Sequence, residues 1–293
     1  MAARPQHLFL NALLLTGLFL QAGCSGMFFY PDHAVYITPD RLNLAYEDVH
    51  LKTDDGETLH GWWLPAVVPP EETARGQVYF LHGNAQNISS HLLNVAWLPA
   101  RGYNVFLIDY RGYGQSTGEP DLEGALHDAE TGLRWLTQRQ NGPQQPLYLL
   151  GQSLGGALSI ALAGAWTQRG EIPPLSAVMV DGTFSGFRAI AREKLGSFWL
   201  TWPFQVPFSW TIPNDYEGVE HIADIGPVPV MVIHSTRDTI IPFDHGQTLY
   251  NAAREPKAFL QTDTPHAATF LIPAYQTAII EFMEQASDGL PAR

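Results

Sequence analysis

The sequence predicts an α/β fold, with a mostly parallel central sheet, helices on both faces and antiparallel leading strands. Three observations predict it. From residue 76 onward, short apolar runs alternate with helix-length segments, the order that builds parallel βαβ units. The runs are apolar without polar alternation, as strands covered on both faces require. The 293 residues carry dispersed Pro and Gly, no internal repeat and no low-complexity linker, which fits one large domain.

The elements follow in chain order. Residues 28–43, rich in Pro and aromatics, read as an extended lead-in. "NLAYEDVHLKTDDGETLHGWWLP" reads as two strands joined at Asp55-Gly56, a hairpin signal. "GQVYFLHGN" is a buried strand ending at His82-Gly83-Asn84, "ISSHLLNVAWLPARG" a helix stopped near Gly102, and "YNVFLIDYRGYGQSTG" a second buried strand with a glycine-rich loop. A helix is expected over 121–140, its start marked by Pro120-Asp121. Strand 147–150, helix 153–167 and strand 176–180 come next. Strand 228–234, helix 243–253, strand 257–261 and helix 273–285 complete the domain, which is expected to span 44–293. One stretch, 184–213, breaks this rhythm with Trp, Phe and Pro in no clean period and is expected to be an insertion. Its aromatic part, 198–210, admits three readings: ordinary packing, an apolar wall or lid over an acyl pocket, or a surface resting on a membrane.

Residues 1–23 are expected to lie outside the fold. Arg4, an apolar run over 8–20 and "QAGCSG" have the form of a secretory signal, and the run is too short to span a bilayer comfortably. Cys24, the only cysteine, stands where cleavage would fall. This resembles the lipobox of bacterial lipoproteins, although Gln21 replaces the usual aliphatic residue three places before the cysteine. The resemblance implies lipidation of Cys24 and a lipid-anchored protein of the bacterial envelope. A plain cleaved signal and an uncleaved anchor are the alternatives. A lone cysteine allows no internal disulfide.

The net charge of −13, with Lys and Arg in no runs, argues against a nucleic-acid partner; the acidity is read as solubility. The chemistry concentrates in "YLLGQSLGGALSIALAG". There Ser153 stands between Gly151 and Gly155, where a buried strand meets a helix. The turn could serve packing, a phosphate or a nucleophile. The G-K-[ST] ending of a phosphate loop is absent, and the strand-to-helix context is the one a G-x-S-x-G nucleophile needs. Such a serine requires a base, and the base an acid, in the chain order Ser, Asp or Glu, His. Seven of the eleven histidines precede Ser153. Of His221, His234, His245 and His266, only His266 lies in a loop after the last strand, so it is the expected base. Asp238, following the penultimate strand, is the expected acid, with Asp181 as its rival. The expected oxyanion donors are the backbone N–H groups of Leu154 and Asn84. His82 is read as bracing its loop.

"FLHGNAQN", "DYRGYGQSTGEP", "GQSLGGA", "RDTIIPFDHGQTLYNAA" and His266 together resemble the α/β-hydrolase superfamily, in its serine aminopeptidase-like branch of membrane-associated bacterial hydrolases. The resemblance covers roughly residues 43–284. It implies the α/β-hydrolase fold and a Ser153–Asp238–His266 triad. Two positions depart from the pattern: Ser235 stands where the strand usually ends in His-Gly, and Ala267 where Asn often follows the histidine. The fold hosts esterases, lipases, thioesterases and peptidases. The expected activity is hydrolysis of a small-molecule carboxylic ester or thioester, without cofactor or metal. An aminopeptidase-like amidase and a non-catalytic binding lipoprotein are the alternatives. Gly112-x-Gly114-x-x-x-Gly118 is one residue too long for a dinucleotide fingerprint.

Overall fold

The computed structural model describes residues 28–139, 145–197, 200–212 and 216–288. Its centre is an eight-stranded sheet: β1 (Glu47–Lys52), β2 (Thr58–Leu64), β3 (Gly76–Leu81), β4 (Tyr103–Ile108), β5 (Leu147–Gln152), β6 (Ala177–Asp181), β7 (Val230–Ser235) and β8 (Lys257–Thr262). The order is β1-β2-β4-β3-β5-β6-β7-β8. β2 pairs antiparallel with β1 and β4, and every other pairing is parallel. Gly56 closes the β1–β2 hairpin at φ +101, a conformation that side chains rarely adopt.

The apolar runs become strands because each feeds two cores. Along β3, Tyr79 and Leu81 enter one cluster, while Val78 and Phe80 enter the other. The first cluster is covered by α1 (Leu122–Gln138), α2 (Leu154–Gln168) and α4 (Phe243–Ala252). α5 (Pro273–Asp288) and residues 88–98 cover the second. Asp121 caps α1 by accepting the Gly124 N–H at 2.8 Å. α3 (Phe187–Gly196) begins the segment between β6 and β7, and a 3-10 turn Trp202–Phe204 and a short helix Gln205–Ser209 follow it. Arg192 Nε ties α3 to this short helix by donating to Ser209 Oγ at 2.8 Å.

The helix expected over "ISSHLLNVAWLPARG" is broken. It is one turn, Ile88–His91, then 3-10 turns Leu92–Asn94 and Pro99–Arg101. The buried residues Ile88, Leu92, Val95 and Leu98 are four, three and three positions apart, a spacing that successive 3-10 turns present as well as a helix does. Asn94 is also drawn inward, donating to Gln152 Oε1 at 2.8 Å. β5 and β6 run further than expected because Gln152 and Asp181 are ladder partners. The lead-in is pinned beside the β3 end, with Tyr30–Pro31 pairing in parallel with Ala85–Gln86. The expected signal segment and Cys24 lie outside the described residues. Among the described residues no helix is long and apolar enough to cross a membrane.

Candidate active site

The site is built at the carboxyl ends of β3, β5, β6, β7 and β8. β5 passes directly into α2, and Ser153 at the join has φ +54 and ψ −117, a strained conformation for a non-glycine residue. The flanking glycines allow the close approach. A Cβ on Gly155 would strike the carbonyl oxygens of Leu81 and His82, and one on Gly151 would strike Ser159 Oγ. The Ser153 N–H donates to the Asp181 carbonyl at 2.9 Å, fixing the elbow to the neighbouring strand.

His266 lies in the loop after β8. Its Nδ1 is 2.6 Å from Asp238 Oδ2 and its Nε2 is 3.1 Å from Ser153 Oγ. A carboxylate at Nδ1 selects the tautomer with its proton there and leaves Nε2 as an acceptor for the serine hydroxyl. Asp238 is itself fixed: Oδ1 accepts the N–H groups of Ile240 at 2.8 Å and Ile241 at 2.9 Å. Burial pushes its carboxyl up, but the His266 hydrogen bond and these two N–H groups outweigh burial and hold it below its ordinary value.

The rival acid, Asp181, is not hydrogen-bonded to the histidine. Its Oδ2 accepts from Gln152 Nε2 at 3.0 Å and its Oδ1 from Thr269 Oγ1 at 2.9 Å. It thereby links the residue before Ser153 to the loop that carries His266. Full burial raises it to about 6, and the Gln152 and Thr269 hydrogen bonds only partly oppose this. None of the other described histidines is hydrogen-bonded to Ser153 or Asp238, although His234 Nε2 lies 4.0 Å from Asp238 Oδ2. His82 is buried and stacked on Tyr110, with ring centroids 4.3 Å apart. His234 contacts the Ile241 carbonyl at 3.0 Å. His245 contacts Ser185 Oγ at 2.9 Å and Glu193 at 3.2 Å, and His221 lies 3.8 Å from Asp224.

Leu154 opens α2, where a first-turn N–H has no intrahelical acceptor. Asn84 lines the same cavity as Ser153 and Leu154. Its carbonyl is pinned by the Tyr30 N–H and the Tyr113 hydroxyl, both at 2.8 Å. The cavity is about 400 Å³ and mainly apolar, with Phe28, Phe184, Ile190, Leu195 and Ile241 in its wall. Among its described lining residues Lys194 is the only charged one, and its Nζ donates to the Ile240 carbonyl at 2.6 Å. A larger hollow of about 530 Å³, lined by Pro174, Pro229 and Phe282, lies at the amino ends of β6–β8, away from these groups. Among the described residues no group of three or more His, Cys, Asp or Glu side chains is disposed to hold a metal ion.

The supporting roles of two residues escaped the sequence reading. Ser235 is buried; its hydroxyl donates to the Thr264 carbonyl at 2.5 Å and accepts the Arg237 N–H at 3.0 Å. It thus joins the acid loop to the histidine loop. Its signal was its departure from the His-Gly pattern. Gly182, at φ +57, lies so close that a Cβ there would sit 3.3 Å from Asp238 Oδ2 and 3.4 Å from His266 Nδ1. The Asp-Gly pair after an apolar strand was its signal.

The strand order, the single reversed strand β2 and the helices on both faces define an α/β hydrolase. The chain belongs to the family described as serine aminopeptidase, S33, whose model matches residues 72–224, just over half of the chain. It is 36% identical over 234 residues to the Escherichia coli protein YfhR, covering 80% of this chain and 76% of that one. It is 28% identical over 264 residues to protein bem46 of Schizosaccharomyces pombe, covering 87% and 82%. In fold it resembles an esterase of Pyrococcus furiosus, with a TM-score of 0.68 at 22% identity over 88% of this chain and 97% of that one. An α/β hydrolase of Vibrio vulnificus is similar, at 0.68 and 19% over 86% and 89%.

Proposed function

We propose that the protein is a serine hydrolase of carboxylic esters or thioesters. One observation carries the reading: His266 bridges Asp238 and Ser153 Oγ, and Ser153 lines a mainly apolar cavity. Ser153 Oγ attacks the acyl carbonyl while His266 Nε2 takes its proton. Asp238 stabilises the imidazolium that forms. The N–H groups of Leu154 and Asn84 receive the developing oxyanion. His266 then returns the proton to the leaving alcohol or thiol, giving an acyl-Ser153 ester. Water, deprotonated by the same imidazole, cleaves that ester and releases the acid. The likeness in fold to esterases supports this reading.

A peptidase releasing N-terminal residues would want a carboxylate for the substrate amine. Among the described residues lining the cavity there is none, which favours the acyl ester. Ser153 is expected to label with a fluorophosphonate probe, and the chain to turn over a short nitrophenyl acyl ester. Ser153→Ala should abolish both. Equal labelling of the variant would remove Ser153 from its role, and labelling without turnover of any acyl ester would return the chain to a binding or amidase function.

A further inference from the structure

The segment that covers the cavity is apolar on its outside as well. Ile190, Leu195 and Thr201 face the cavity. Immediately beyond, Leu200, Trp202, Phe204, Val206 and Trp210 are exposed, with Trp202 at 60%, Phe204 at 63% and Trp210 at 67%. No other stretch of eleven described residues exposes more than three large apolar side chains. Scattered apolar exposure is ordinary, but a run of this density marks an interaction surface.

Charge and chain length identify what covers it. Residues 187–212 carry Arg188, Arg192 and Lys194 against one acid, Glu193, in a protein of net charge −13. That acid lies 3.2 Å from His245 Nε2. Indoles beside basic side chains suit the headgroup layer of an anionic bilayer. The start of the described chain supplies the independent observation. Phe28 lines the cavity, and Tyr30 donates its N–H to Asn84. Cys24 lies four residues before Phe28, and the apolar run 8–20 ends eight residues before it. Eight fully extended residues reach at most about 28 Å, whereas a domain of this size is on the order of 45 Å across. A leader held in lipid, by Cys24 or by that run, therefore brings the cavity rim to the membrane and not the far face.

We propose that the exposed aromatic face over residues 200–210 docks into the interfacial layer of an anionic bilayer, with the mouth of the Ser153 cavity turned toward the lipid. If the serine-hydrolase reading also holds, the acyl ester reaches Ser153 from the bilayer, and water-insoluble esters are its substrate class. The docking itself does not depend on that reading.

The test uses the full chain on vesicles of phosphatidylglycerol and phosphatidylethanolamine containing phospholipid brominated near the acyl carbonyl. Brominated lipid should quench the tryptophan emission. The double variant Trp202→Phe/Trp210→Phe keeps the surface apolar while removing two of eight indoles. It should stay vesicle-bound and lose a large part of the quenching. Unchanged fractional quenching in that variant would overturn the docking. So would a dimer in sedimentation whose two indoles are shielded from iodide and untouched by brominated lipid, which would mean that a second copy covers the face. Turnover of a short water-soluble ester in the same samples separates the two proposals. Lipid quenching with no turnover of this ester or of a long-chain ester dissolved in the vesicles sinks the hydrolase reading alone, and turnover without lipid quenching sinks the docking.

Discussion

Asp181 ends β6, Asp238 follows the neighbouring β7, and both carboxyl groups are buried, yet their surroundings act on them in opposite directions. Asp238 receives an imidazole N–H that becomes cationic during the proposed reaction, together with two backbone N–H groups. Its carboxyl is held below its ordinary value. Asp181 receives a neutral amide and a hydroxyl, and burial lifts it to about 6. A strand end supplies the position of an acid; the donors around it decide whether it stays charged. The comparison teaches that Asp238 is equipped to stabilise charge, and Asp181 to hold two loops in register.

The widest expected gap is kinetic. Asp238→Asn should lower kcat by about 10³–10⁴-fold, since the amide cannot stabilise the imidazolium. Asp181→Asn replaces one of the two acceptor oxygens, a loss of about 1.5 kcal/mol away from the reacting atoms, so the fall in kcat should stay within roughly 10-fold. Steady-state ester hydrolysis, with circular dichroism to show that both variants fold, measures the difference. A reversed order would make Asp181 the working acid.

The two acids should also separate in their effect on stability against pH. Asp238, lowered on folding, contributes stability above its unfolded value of 3.8 that is lost as pH falls through its folded value. Asp181 has the opposite sign. Its contribution is full below 3.8 and disappears as pH rises through about 6. That change is on the order of 3 kcal/mol. Urea titrations at steps between pH 4 and 7 should show Asp181→Asn losing stability with rising pH less steeply than the wild type. Parallel curves would mean that Asp181 is no more perturbed in the fold than in the open chain.

The meeting of Ser153, Asp238 and His266 was legible because each follows an apolar run that had to be a strand, and parallel strands deliver such residues to one edge. The alternation of strands and helices was legible for the same reason. The ties behind the site were not. The Ser235–Thr264 hydrogen bond depends on the alignment of Thr262 with Ser235 across β7 and β8, which no local pattern encodes. Residues 88–98 misled because apolar spacing near three and four fits both a helix and successive 3-10 turns. The insertion is the hardest case. Phe184 and Phe187 enter the core while Trp202 and Trp210 face outward, and composition alone does not sort one aromatic from another.

The smallest expected effect concerns the residue beside the histidine. Ala267 has φ +62, in the left-handed region that costs an L-residue other than Gly, Asn or Asp about 1–2 kcal/mol. The family resemblance puts Asn there, and the backbone now supplies a reason: Asn tolerates this conformation without the added unfolded-state freedom of Gly. Ala267→Asn should therefore raise stability by roughly 0.5–1 kcal/mol, whereas the β-branched Ala267→Val should lower it. Urea midpoints at constant slope would read both. If Asn and Val move the midpoint the same way, side-chain contacts and not backbone conformation govern the position. If Asn raises both stability and kcat, strain at Ala267 has been displacing His266 from Ser153; if stability rises alone, Asp238 and Gly182 already hold the ring, as the 2.6 Å contact to Asp238 indicates.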